Sequence, residues 1–174
     1  MRKLLLGTAM MMLAALPASA ALPTGAKAPD FFTTGALAGK PFRLHLKEQL
    51  RKGPVVLYFF PKAFTKGCTL EARAFSEANR DFRHAGARVI GMSADDLPTL
   101  RKFSVEECRN AFPVATATPE IIAAYDVALK QKAGLTDRTS YVISPGGRIV
   151  MVHSDLDWSQ HVAKTLDAVR AIRR

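Results

Sequence analysis

The chain has 174 residues, 48% of them hydrophobic and 23% charged, and its 25 lysines and arginines against 15 acidic side chains give a formal net charge of +10. These proportions suit one globular domain with a real core. They exclude a disordered chain, a collagen-like repeat and a disulfide-dense miniprotein.

Residues 1–20 stand apart. Arg2 and Lys3 form a positive start, Leu4 to Leu16 is an uncharged apolar run, Pro17 breaks it, and Ala18-Ser19-Ala20 supplies small residues at the position a signal peptidase reads. This order predicts a secretory signal peptide cleaved after Ala20. A membrane span needs ~20 apolar residues, which the run does not reach. Cleavage leaves one mature domain over 21–174 and, with Arg2 and Lys3 gone, takes the net charge from +10 to +8. The mature protein is expected to be exported, to a periplasm in the simplest case, and to lie free of the membrane. Both cysteines, Cys68 and Cys108, remain in it, and in an exported chain two cysteines read first as a structural disulfide.

Ala28-Pro29-Asp30-Phe31 and Phe42 to Leu46 read as short extended pieces around the turn Leu37-Ala38-Gly39-Lys40-Pro41. Pro54 to Phe60 is continuously apolar and β-prone, as a strand covered on both faces is. Ala72, Phe75, Ala78 and Phe82 then recur at helical spacing to about His84, and Gly86 stops the helix. Arg88 to Ser93 is a second buried strand. Leu97, Leu100 and Phe103 begin another helix, with Asp95 and Asp96 placed to cap it. Ile121, Ile122 and Tyr125 predict a short helix capped by Thr118, with Pro119 at its first position. Tyr141-Val142-Ile143 and Arg148 to Val152 flank Ser144-Pro145-Gly146-Gly147 as a hairpin. Val162, Leu166, Val169 and Ile172 line a C-terminal helix. The order predicts an α/β domain, a central mixed sheet with helices on both faces.

Chemistry concentrates where the first buried strand ends. In Pro61-Lys62-Ala63-Phe64-Thr65-Lys66-Gly67-Cys68, the cysteine falls in the first turn of a helix, where free amides and the helix dipole stabilise an anion. Such a position with cationic neighbours (Lys62, Lys66 and Arg73 are close in sequence) favours a reactive thiolate. Thr65 is three residues before Cys68, so its hydroxyl is placed to approach the sulfur. It also stands where a Cys-x-x-Cys pair carries its first cysteine, which favours a single activated thiolate over a dithiol oxidoreductase.

Pro61, Thr65 and Cys68 match Pro-x-x-x-Thr-x-x-Cys, and with Phe60-Pro61-Lys62, Gly67-Cys68-Thr69 and Glu71-Ala72 the stretch resembles the peroxiredoxins. The similarity is to the bacterioferritin-comigratory, PrxQ-like branch of the AhpC/TSA-type redoxins. Ala28 to Phe31 resembles the family's opening segment, and Arg138 to Ile143 the strand carrying its arginine. The resemblance implies a thioredoxin-like fold and a thiol-dependent peroxidase needing no cofactor. Cys68 becomes a sulfenic acid, Thr65 orients the peroxide, Arg138 holds the thiolate and Pro61 shields the sulfur. Glu71 either orients an arginine or salt-bridges a neighbour. Many members of the branch carry a resolving cysteine five residues after the reactive one, where this chain has Arg73. Cys108, expected near the end of the helix begun at Leu97, is then the resolving cysteine, after local unwinding, or else an external thiol takes that part.

The implied partners are a peroxide and a thiol reductant, with the protein a monomer or weak dimer. His45, His84, His153 and His161 have no metal-ligand spacing and read as surface or packing residues. Lys130, Lys132 and Arg170 to Arg174 read as solvated positive surface, with no nucleic-acid partner implied. Two other functions remain open: an exported thiol–disulfide exchange protein of the same fold, and a non-catalytic binding module stapled by a permanent Cys68–Cys108 disulfide.

Overall fold

A computed structural model of the chain describes residues 21–172. The signal-peptide and cleavage-site reading of residues 1–20 lies outside them. Seven strands and five helices follow in the order β1 Phe32–Leu37, β2 Lys40–His45, α1 Leu46–Leu50, β3 Val55–Phe59, α2 Lys66–His84, β4 Arg88–Ser93, α3 Leu97–Glu106, β5 Val114–Thr116, α4 Pro119–Tyr125, β6 Thr139–Ile143, β7 Ile149–Ser154 and α5 His161–Ile172. A 3-10 turn at Trp158–Gln160 leads into α5. The strands make one sheet in the order β2-β1-β5-β4-β3-β6-β7. β3, β4 and β5 run parallel, and the pairs at both flanks are antiparallel.

The all-apolar β3 is buried along its whole length, between β4 and β6. Two apolar clusters cover the two faces of the sheet. One packs α1 and α4 residues such as Leu46, Leu50, Ile121 and Tyr125 under β3 and β6. The other packs Phe75 and Phe82 of α2, Leu100 and Phe103 of α3, and Val169 of α5. The predicted mixed sheet with helices on both faces is therefore present. Among the described residues no helix is long and apolar enough to cross a membrane.

Several elements differ from the sequence expectation. The first strand is not Ala28 to Phe31 but β1, whose pairing with β2 spans Phe32↔His45 to Leu37↔Lys40. β2 ends a residue early because Leu46 opens α1, a five-residue helix. β5 pairs with only three residues of β4, Gly91 to Ser93. Its neighbour Gly91 has no room for a side chain, since a Cβ there would lie 2.9 Å from both the Tyr58 ring and Val114. Of the two candidate caps for α3, Asp96 accepts from the Thr99 amide at 2.9 Å, and Asp95 turns away. Cys108 is not on the helix, which ends at Glu106; it follows the Glu107 C-cap.

Candidate active site

Gly86, at φ +80°, closes α2 at one end, and Thr65 is its N-cap at the other. Cys68 thus sits in the first turn, and the residue is 1% exposed. The loop entering the helix is held at several points. Phe60 N–H donates to Met92 O at 2.9 Å, and the Thr136 hydroxyl donates to Phe60 O at 2.7 Å. Ala63 N–H donates to Asp95 Oδ2 at 2.7 Å, and the same carboxylate oxygen accepts from the Ser93 hydroxyl. Between Ala63 and Thr65, Phe64 adopts a left-handed φ of +64° and sets its ring edge-on to Phe103 at 5.3 Å. A left-handed non-glycine conformation persists only when its surroundings hold it there, and Asp95 supplies a tie one residue away. Asp95, expected from its position to cap α3, instead anchors the loop that delivers Cys68.

Thr65 does not bond the sulfur. Its hydroxyl donates back to Lys62 O at 2.9 Å and makes no side-chain cap for the helix. Pro61 is half-buried at the start of the loop. Of the cations near in sequence, Lys62 and Lys66 are exposed. Arg73 faces elsewhere and pairs with Glu107 at 2.7 Å.

The cation that meets the sulfur comes from far along the sequence, at the start of β6, the strand that pairs with β3. Arg138, just before β6, is 5% exposed and uses all three of its guanidinium nitrogens. Nε donates to Leu156 O at 2.8 Å, Nη1 to Glu71 Oε2, and Nη2 to Cys68 Sγ at 3.5 Å. Gly67 makes space for this, because a Cβ there would lie 3.2 Å from Nη2. A planar, always-charged fork fixed by two acceptors places positive charge against the sulfur with little freedom left to lose. Burial opposes the Arg138 charge, yet Glu71 and Cys68 together hold its pKa above the ordinary value.

Glu71 is fully buried, one helical turn beyond Cys68. Burial pushes its carboxyl up to about 8 against the opposing pull of Arg138. Its second oxygen, Oε1, has no hydrogen-bond partner and lies 3.7 Å from His161 Nδ1. His161, read as a surface or packing histidine, is fully buried. Its Nε2 lies 2.9 Å from Asp155 O, a pure acceptor, so Nε2 carries the proton, and Ser140 donates its hydroxyl to Nδ1 at 2.8 Å. Burial first of all drives this imidazole down to about 4. Below pH 6.5 the unfolded chain takes up a proton here that the native chain refuses. The stability His161 contributes is therefore complete above pH 6.5 and is lost as pH falls toward 4. In urea denaturation, the loss of stability between pH 7 and pH 4 is expected to be smaller in His161→Asn by about 3 kcal/mol. An unchanged acid slope would remove this histidine from the account.

Cys108 is also buried and free, in the same apolar cluster as Cys68. Burial, with Glu107 beside it, strongly raises its thiol pKa. Arg109 and Asn110 after it both adopt left-handed conformations, at φ +49° and +60°. Three ties fasten this segment to α2: Arg73 to Glu107 at 2.7 Å, Arg109 to Glu77 at 3.3 Å, and Asn79 Nδ2 to Ala111 O at 2.7 Å. Among the described residues no group of three His, Cys, Asp or Glu side chains is arranged to hold a metal ion.

A model of the AhpC/TSA family matches residues 24–152. The chain is 31% identical over 124 residues to peroxiredoxin Bcp of Xanthomonas campestris pv. campestris, covering 67% of this chain and 76% of that one. It is 29% identical over 148 residues to the chloroplastic peroxiredoxin Q of Populus jackii, covering 84% and 68%. Among solved structures, peroxidoxin BcpB from Mycobacterium tuberculosis is similar at a TM-score of 0.75 and 33% identity, covering 87% of this chain and 98% of that one.

Proposed function

Because the chain belongs to the AhpC/TSA family and is a peroxiredoxin, a thiol-dependent peroxidase, we propose that Cys68 is its peroxidatic nucleophile. The Cys68 thiolate attacks one peroxide oxygen, an S–O bond forms as the O–O bond breaks, and the departing oxygen takes a proton to leave as water or an alcohol. Cys68 is left as a sulfenic acid. The observation that carries this reading is the Arg138 Nη2 bond to Cys68 Sγ at the amino end of α2. Arg138 stabilises the sulfur anion before reaction and the charge growing on the departing oxygen during it.

The remaining roles follow from what each group has left to offer. The single donor of Thr65 is engaged by Lys62 O, so toward a peroxide its oxygen acts as acceptor and orients the O–H. Pro61 offers no N–H and, half-buried at the start of the loop, shields the sulfur from bulk water. Glu71 holds Nη1 of Arg138 and so aims Nη2. Hydrogen peroxide and organic hydroperoxides are the proposed substrates and an external dithiol protein the reductant, with the chain acting as a monomer or weak dimer.

Resolution of the sulfenic acid falls to Cys108 in this reading. Its burial demands that the segment after α3 first come away from α2. After one equivalent of hydrogen peroxide, mass mapping is expected to find Cys68 joined to Cys108. Dimedone labelling of Cys68 beside a persistently free Cys108 thiol would instead assign resolution to an external thiol.

Export rests on the charged, apolar, small-residue order of residues 1–20. The protein recovered from the periplasmic fraction is expected to begin at Ala21. Recovery with Met1 in the cytosolic fraction would refute export.

A further inference from the structure

A cavity of about 690 Å³ opens at the end of the sheet opposite Cys68. Arg83, near the carboxyl end of α2, lines it; at 1.5 Å rise per residue it is roughly 22 Å along the helix from Cys68. The short β5 creates the space. It begins at Val114 opposite Gly91, so Arg88, Val89 and Ile90 of β4 have no strand beside them there. The β1–β2 hairpin lies across the gap and contributes Leu37 and Phe42, and Phe112 and Pro113 close it on the β5 side.

The charges around this opening are one-sided. Lys40, Lys52, Arg83 and Arg88 line it, and no aspartate or glutamate does. Among the described residues none of the four is ion-paired. Elsewhere on the surface Arg73, Arg109 and Arg170 each face a carboxylate. Arg88 is fixed through Nη1 to Lys52 O at 2.8 Å, which holds two of the cationic residues at one rim. Asn79, nine-tenths buried in the wall, is fixed through Nδ2 to Ala111 O. Four like charges around a concave apolar surface repel one another and raise the local concentration of anions. A volume of this size is within the range of small-molecule sites, in which an apolar lining carries a few oriented polar groups.

We propose that this cavity binds a soluble amphipathic organic anion, a phosphate or carboxylate head on an apolar body, at a site separate from Cys68. The head lies among Lys52, Arg83 and Arg88 and the body on Leu37, Pro41 and Phe42, the apolar lining residues that keep exposed surface. The site does not depend on the peroxidase assignment.

Isothermal titration of the intact reduced protein with octyl phosphate, kept below its micellar concentration, tests the proposal. Saturable one-to-one binding is expected, weakened about tenfold or more in Lys52→Glu/Arg83→Glu. Lys102→Glu, an exposed α3 change outside the cavity, controls for net charge and is expected to leave the affinity unchanged, as is Cys68→Ser. Inorganic phosphate and octyl glucoside, each carrying half of the required chemistry, are expected to bind at least about tenfold more weakly. Four results would overturn the proposal: no saturable binding, equal affinity in the cavity double variant, inorganic phosphate binding as well as octyl phosphate, or binding only to anionic phospholipid vesicles, which would make this face a membrane-docking surface.

Discussion

Cys68→Ser is expected to lower peroxide consumption by ~10³-fold or more while the fold is retained, because a serine hydroxyl at this position stays protonated and is a far weaker nucleophile than a thiolate. The substitution is nearly isosteric, and the hydroxyl can accept the Arg138 bond that the sulfur accepts now. Thermal unfolding is therefore expected to shift little. Peroxide loss coupled to a dithiol reductant is the measurement. Turnover within tenfold of the parent, in protein freed of contaminating peroxidase, would move the chemistry to another residue.

Arg138→Met carries the second large effect, and it acts on two properties at once. Removing a fixed donor from the place where charge develops costs ~10²–10³ in rate. The same change leaves Glu71, fully buried with Oε1 already lacking a partner, without the donor to its other oxygen, and an unsatisfied buried polar group costs about 1–3 kcal/mol. The two losses can be separated. In Arg138→Met/Glu71→Met both members of the buried pair are apolar, so the urea midpoint is expected to recover while the rate constant with hydrogen peroxide remains low. Recovery of both would make Arg138 a structural residue only. Arg138→Lys is expected to recover little rate, since one ammonium cannot reproduce the fork spanning Leu156 O, Glu71 and Cys68.

The parts of the site carried by contiguous sequence were legible. Pro61, Thr65 and Cys68 lie on one strand-to-helix connection, where an apolar run followed by helical periodicity dictates the geometry. Arg138 stands 70 residues from Cys68, and no local pattern ties the two; only the family resemblance marked it. Asp95 and His161 were opaque for a similar reason. An aspartate pair before Leu97 reads as a helix cap, and Asp96 alone suffices for the cap, which frees Asp95 to reach Ala63. His161 gains its meaning from β6 and α2 packing around it. Among the elements, α1 and β5 were missed because five and three residues are too few to establish a period. β1 was missed because Thr33-Thr34-Gly35-Ala36 has little apolar alternation and is a strand through its partners on both sides.

The three ties between α2 and the segment after α3 respond unequally to the surrounding solution. Two are ion pairs whose arginines are about half exposed, at 45% and 51%, and such pairs are screened by salt. The Asn79 amide bond to Ala111 O is neutral and largely shielded from ionic strength. Local opening of residues 107–111 is consequently electrolyte-sensitive, whereas the buried contact of Arg138 with Cys68 is not. Amide hydrogen exchange at the two places, followed from low to physiological ionic strength, separates a part of the protein that senses its medium from one insulated against it.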